Sequence, residues 1–359
     1  MAHKKTPENS SNLAGGEFTG ADEARLLDER ITRYGVAHTR SQAMLEHLRK
    51  TPSEATIKTA ASLASCGNYL HFREYFTVGK VRLHSATFCK QHLICPLCAI
   101  RRGAKLMKAY LDKLAVIQAE QPGLQAYLVT FTIKNGPDLG ERFRHLRGAM
   151  RRMTQARRDH LKDTRRPHVE FAKAVGGVHS IESKRGQNSQ EWHPHAHMIW
   201  LCYDAPDAAK LAEEWKSWTG DSFVVDVRPF TDQDDLVGGF LEVFKYALKF
   251  SELPLDDNWQ AYVKLKGKRL VDSFGCLRGV EVPEDLNDEC LDDMPYVEML
   301  YRYTRAGYSL QLVTPGQGEN VPFRPHSKAR APSPPINRMW DLLALYRTRK
   351  VLNMGRGYG

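Results

Sequence analysis

The chain has 359 residues, 42% of them hydrophobic, with 52 Lys and Arg against 42 Asp and Glu, a formal net charge of +10. No stretch approaches the roughly 18–20 apolar residues of a membrane span, and the N-terminal MAHKKTPENSSNLAGGEF lacks the apolar core of a secretory signal, so a cytoplasmic bacterial protein off the membrane is expected. The cationic excess favours a polyanionic partner, because Lys and Arg that neutralise phosphates release condensed counterions, and seven cysteines in a reducing compartment point to metal binding rather than disulfides.

Residues up to Phe18 are polar and expected to be disordered. From Ala21 to Arg49 the apolar positions Leu26, Leu27, Ile31, Met44 and Leu48 suggest short amphipathic helices broken near Gly35. A cysteine-bearing segment, Cys66 to Cys98, runs into a helix over 101–120 with Leu106, Tyr110, Leu114 and Ile117 on one face. AYLVTFTIKN (126–135), bounded by Pro-Gly and Gly-Pro pairs, is a strand. Residues 138–162 form a helix rich in arginine. FAKAVGGVHSIESK (171–184) and HPHAHMIWLCY (193–203) read as an antiparallel hairpin across the turn RGQNSQE. A helix at 207–218, a strand at 222–230 and a helix over 233–251 follow. Residues 256–295 are mixed and acidic, 315–335 form a Pro-rich loop, and RMWDLLALYRTRK closes the chain as a short helix. The hairpin makes the fold class α+β, with a central antiparallel sheet and flanking helices, preceded by a small zinc-bound segment.

Three features carry chemistry. His193, His195 and His197 stand in HPHAH at the start of a strand, so all three point to one face and two can grip one ion. Glu182, across the hairpin, can reach the same ion, and a carboxylate beside imidazole suits Mg²⁺ or Mn²⁺. Cys66, Cys89, Cys95 and Cys98 lie within one short segment, the last two as CPLC, and make a tetrahedral structural Zn²⁺ site, with His84 and His92 as alternative ligands. In LEVFKYALKF, Glu242 and Tyr246 are four residues apart, on one helical face, and Lys249 lies three further on. Next to a metal that polarises a phosphate, the phenolate can attack while the lysine offsets charge on the phosphoryl oxygens. Tyr203, Tyr262, Tyr301 and Tyr303 are competing nucleophiles without such company.

The order FCKQHLICPLCAIRR, LVTFTIKN, GGVHSIES, WHPHAHMIW and EVFKYALK resembles the rolling-circle replication initiators of small bacterial plasmids, within the HUH endonuclease superfamily, over roughly residues 64 to 251. The resemblance implies an HUH endonuclease fold, with a histidine pair on a central strand and the tyrosine on a nearby helix. His195 and His197 then match the family's histidine pair, Glu182 its acidic third ligand, Tyr246 the nucleophile, and Glu242 the acid that replaces a second tyrosine. Ala196 is smaller than the usual residue between the histidines, and one extra residue separates Cys89 from the CxxC. On this reading a disordered tail (1–20), a helical extension (21–60) and a zinc-binding segment with its helix (61–120) precede the endonuclease core (121–252) and a C-terminal extension (253–359). The implied activity is nicking and strand transfer at a plasmid double-strand origin through a 5′-phosphotyrosine, leaving a 3′ hydroxyl for host polymerase and helicase. Arg147, Arg151, Arg152 and Arg158 of the basic helix are the expected DNA contacts. A single-strand transposase or relaxase of the same chemistry, or a non-catalytic zinc-containing DNA-binding regulator, are the alternatives. A helicase motif of the GxxxxGK[ST] type is absent from the sequence, which disfavours a conjugative relaxase.

Overall fold

The computed structural model describes residues 20–316, apart from 164, 187–188 and 292–293. The expected disordered tail, the Pro-rich stretch beyond Gly316 and the closing helix lie outside the described residues. Helix α1 (Gly20–Lys50) opens the fold as one continuous helix, where the sequence suggested a break near Gly35. A glycine inside a helix costs about 1 kcal/mol relative to alanine. Packing of Tyr34, Ala37, Met44, Leu45 and Leu48 into the core offsets that cost. Gly307 packs beside Gly35, its Cα 3.5 Å from where a Cβ would stand, an ordinary contact distance. Helix α2 (Glu54–Ala64) starts with a capping box: Ser53 Oγ accepts from the Thr56 N–H, and Thr56 Oγ1 accepts from the Ser53 N–H.

Strands β1 (Tyr69–Tyr75) and β2 (Lys80–Ala86) form a hairpin inside the cysteine segment. Helix α3 (Pro96–Glu120) begins five residues earlier than the apolar stripe alone suggested, with Cys95 at the N-cap and Pro96 in the first turn, where a missing N–H costs nothing.

The central sheet is antiparallel in the order β6-β3-β5-β4-β7, built from β3 (Gln125–Thr132), β4 (Ala174–Arg185), β5 (Trp192–Cys202), β6 (Val225–Pro229) and β7 (Val271–Gly275). Alternation along β5 puts His193, His195 and His197 on one face and Ala196, Met198 and Trp200 on the other. The second face is covered by α4 (Leu139–Lys162), by α5 (Ala208–Thr219) and by the 3-10 turn Glu170–Lys173. Its floor is aromatic: Phe131 packs on Trp200 and Trp215, and Phe171 on Trp200. The histidine face is covered by α6 (Gln233–Phe244) and α7 (Tyr246–Glu252), with α3 packed against them. The single helix expected over 233–251 is therefore two. The helical path is interrupted at Lys245, whose side chain turns inward to Glu242.

After α8 (Leu255–Leu265) and β7, strands β8 (Val297–Thr304) and β9 (Gly307–Pro315) return to the N-terminal hairpin as a second antiparallel sheet, β2-β1-β8-β9. Beyond residue 252 the chain thus supplies an edge to the central sheet and half of the second one. Among the described residues no helix is long and apolar enough to cross a membrane.

Candidate metal centre and nucleophile helix

The register of the β4–β5 hairpin sets Glu182 opposite His195 and Ser180 opposite His197, while β3 sets Thr130 opposite His197 from the other side. Glu182 Oε1 lies 2.6 Å from His195 Nε2 and 3.4 Å from His197 Nε2. The three ligand atoms fall within 4.8 Å of one another. Each ring is oriented through its other nitrogen. The Nδ1–H of His195 donates to the His193 carbonyl at 3.3 Å, and His197 Nδ1 is hydrogen-bonded to Thr130 Oγ1 at 3.1 Å. These bonds leave both Nε2 atoms facing the carboxylate, where a shared proton or a cation holds the three groups together. Glu182 is buried and its Oε2 has no hydrogen-bond partner. Burial alone would raise its carboxyl, yet hydrogen bonds and charge from the two histidines hold it well below the ordinary range. Two imidazoles and a carboxylate with an unused oxygen fit a divalent metal. His193 turns away, 2.5 Å from Asn135 Oδ1.

Glu242 approaches this group from α6, its Oε1 3.9 Å from His197 Nε2, and its other oxygen is paired with buried Lys245. Tyr246 is not drawn in. No hydrogen bond or ring contact joins it to Glu182, His195 or His197. Its buried ring instead stands edge-on to His92, 6.2 Å between centroids. Burial pushes the phenol up to about 12, against the pull of Arg102. Lys249 pairs with Glu252 at 3.4 Å, so the lysine closest to the acid is Lys245. Lys245 and Thr130 are site residues that the sequence pattern did not single out. Thr130 had a signal, since alternation in TFT puts it on the histidine side of β3; Lys245 had none beyond its place beside Tyr246.

The four cysteines come together, with sulfurs of Cys66 3.6 Å from those of both Cys95 and Cys98, and Cys89 3.6 Å from Cys98. Hydrogen bonds from Cys66, Cys89 and Cys98 hold the Cys95 thiol well below its usual range despite burial. Cys95 also caps α3, where the positive end of the helix favours a thiolate. The residue after Cys89, Lys90, adopts φ +57, a left-handed turn on the way to the CxxC. His84 faces Cys290 and His92 faces Tyr246; neither joins the cluster.

The basic helix α4 lies across the sheet from the metal ligands. Arg147 donates to the Arg269 carbonyl and Arg152 to that of Trp218, while the exposed side chains of Arg151 and Arg158 make no hydrogen bond or ion pair among the described residues.

Residues 80–205 match the replication protein family. A protein named Protein rep from Bacillus sp is 26% identical over 292 residues, 71% of this chain and 88% of its own length. Proteins of the same name from Streptococcus pneumoniae serotype 2 and Bacillus amyloliquefaciens are 31% and 24% identical, covering 54% and 67% of this chain and 61% and 77% of their own lengths. No solved structure matches. The matched segment holds the CxxC pair and the whole histidine hairpin, and its similarity to these replication proteins supports a plasmid replication initiator.

Proposed function

We propose that the chain initiates rolling-circle replication as a single-tyrosine nickase: it cuts one strand of a plasmid double-strand origin by transesterification and keeps the 5′ phosphate on Tyr246. The observation that carries this reading is the convergence of Glu182 Oε1 with Nε2 of His195 and His197, on the sheet face covered by the helices that bear Glu242 and Tyr246. A divalent ion held there, Mg²⁺ or Mn²⁺, supplies Lewis acidity to the scissile phosphate. Tyr246 Oη bonds to phosphorus as the bond from phosphorus to the 3′ oxygen breaks. The 3′ oxygen takes up a proton, and the phenol loses its own. The interruption at Lys245 supplies the joint by which Tyr246 leaves its packing against His92 for the metal group. Burial raises its phenol to about 12, so the tyrosine gives up its proton only once it has left that packing for the metal group, whose charge favours the phenolate. After one round Glu242 activates the water that ends the reaction, while Lys245 and Lys249 offset phosphoryl charge. The 3′ hydroxyl primes host polymerase behind a host helicase.

The test is a labelled single-stranded origin oligonucleotide with Mn²⁺, resolved on a denaturing gel. The wild type should form a covalent adduct that EDTA and Tyr246→Phe both abolish. Glu242→Ala should still form it and, lacking a base worth about 10²–10⁴-fold, should accumulate adduct and oversized single-stranded products. An adduct on Tyr246→Phe would move the nucleophile to Tyr203, Tyr301 or Tyr303. Loss of the first nick in Glu242→Ala would make the acid a metal ligand, a role its 3.9 Å approach to His197 permits.

A further inference from the structure

Donor chemistry alone does not favour Mg²⁺ or Mn²⁺ at the histidine strand. Two imidazoles and a carboxylate also make a common catalytic zinc set, and affinity at such a set rises from Mn²⁺ to Zn²⁺. What separates the ions is water. Mg²⁺ and Mn²⁺ prefer octahedral coordination and keep several waters beside the ligand atoms of Glu182, His195 and His197, whereas Zn²⁺ closes a tetrahedron with one. A side chain that holds those waters therefore discriminates between the ions.

Ser180 has the position and the free hydroxyl to do so. It stands on β4 directly opposite His197 and two residues before Glu182, so its side chain leaves the sheet on the ligand face. Facing residues of an antiparallel pair hold their Cβ atoms about 4.5–5.5 Å apart. Across the sheet the row runs Thr130, His197, Ser180. Thr130 Oγ1 occupies His197 Nδ1 at 3.1 Å, while Ser180 is 0% exposed and its Oγ has no hydrogen-bond partner among the described residues. Helix α7 packs over β4 and shuts this hydroxyl off from solvent. Buried hydroxyls are nearly always hydrogen-bonded. Glu182 Oε2, two residues on, is an orphan of the same kind, and both oxygens can accept the protons of waters on a bound ion.

We propose that Ser180 sets the metal preference of this group: its Oγ accepts a hydrogen bond from a water that Mg²⁺ or Mn²⁺ retains, and so favours those ions over Zn²⁺. Ser180 is a positioning residue, acting through that water. The inference rests on the proposed function, since it takes Glu182, His195 and His197 as the ligands.

The test is calorimetric titration of the full chain, its cysteines already loaded with Zn²⁺, with Mn²⁺ and separately with Zn²⁺, without DNA. Ser180→Ala should lower Mn²⁺ affinity by about tenfold, the low end of what outer partners contribute, and leave Zn²⁺ affinity close to that of the wild type. Ser183→Ala is the matched control. Its hydroxyl is equally buried and unpartnered but lies on the opposite face, across from Pro194, so neither affinity should change. Undiminished Mn²⁺ affinity in Ser180→Ala overturns the inference. So does an equal loss for both ions, which marks a disturbed ligand set, or an equal Mn²⁺ loss in Ser183→Ala. A selective Mn²⁺ loss in Ser180→Ala with no covalent adduct from the wild type sinks the nicking chemistry and leaves the role of Ser180 standing. Wild-type protein that binds no Mn²⁺, or binds it as well after His195→Ala with His197→Ala, overturns both.

Discussion

Thr130 shows how a single hydroxyl can tune a metal group. Its bond to His197 Nδ1, 3.1 Å long, fixes both the ring plane and the nitrogen left free for a ligand. Thr130→Val keeps the shape and removes the bond. Outer partners of this kind are worth about 10–100-fold in metal affinity, so calorimetric titration with Mn²⁺ should show a loss of that size. Unchanged affinity would mean that the β3–β5 pairing alone orients the imidazole. The alternation of HPHAH and the short hairpin turn make Glu182, His195 and His197 legible as a group from the amino-acid order alone. Lys245 is not legible in that way, because its pairing with Glu242 depends on the chain breaking its helix there, and nothing in EVFKYALK marks such a break. Glu242 and Tyr246, which helical spacing had placed on one face, stand on either side of that break.

The secondary elements divide by what stabilises them. The β3, β4 and β5 strands carry β-branched and aromatic residues between strong turn signals, and α4 begins at Asp138, whose side chain accepts from the Glu141 N–H. Local chemistry decides such elements, and they were readable. Helix α1 runs through Gly35 because distant residues pack on it, and β8 and β9 exist because β1 offers them an edge; no local pattern reports either. The cysteine cluster joins these levels, since its ligands come from the end of α2, the loop after β2 and the first turn of α3. Elemental analysis should find about one zinc per chain, as a closed four-ligand site holds one ion. Cys95→Ser should lower the melting temperature while folded protein keeps its Mn²⁺ affinity at the histidine strand. Metal-free protein of unchanged stability would refute a structural zinc.

At the scale of the molecule, Asp288 ties segments far apart in the chain. It accepts from Arg30 of α1 at 2.6 Å and Arg101 of α3 at 2.7 Å, and from the Leu83 N–H of β2 at 2.8 Å. Burial would raise its carboxyl, but the two guanidinium groups hold it far below the ordinary range. Asp288→Ala strands two buried cations, a loss of about 3–5 kcal/mol, measurable by urea denaturation. The sign of the pH dependence follows from the depressed folded value. The contribution is complete above the unfolded carboxyl value near about 3.9 and is lost as pH falls from there towards the folded value. The stability gap between wild type and Asp288→Asn should accordingly be widest near neutrality and narrow below about pH 4. A gap independent of pH would show that the carboxylate's charge is not what binds these segments. The second sheet has a consequence in time. Strand β1 is made early, yet its partner β8 pairs Tyr69 with Arg302 near the far end of the described chain. At about 5–20 residues per second of synthesis, the first strand waits tens of seconds on the ribosome with one edge open, so the nascent chain cannot complete this half of its fold before β8 and β9 have been translated.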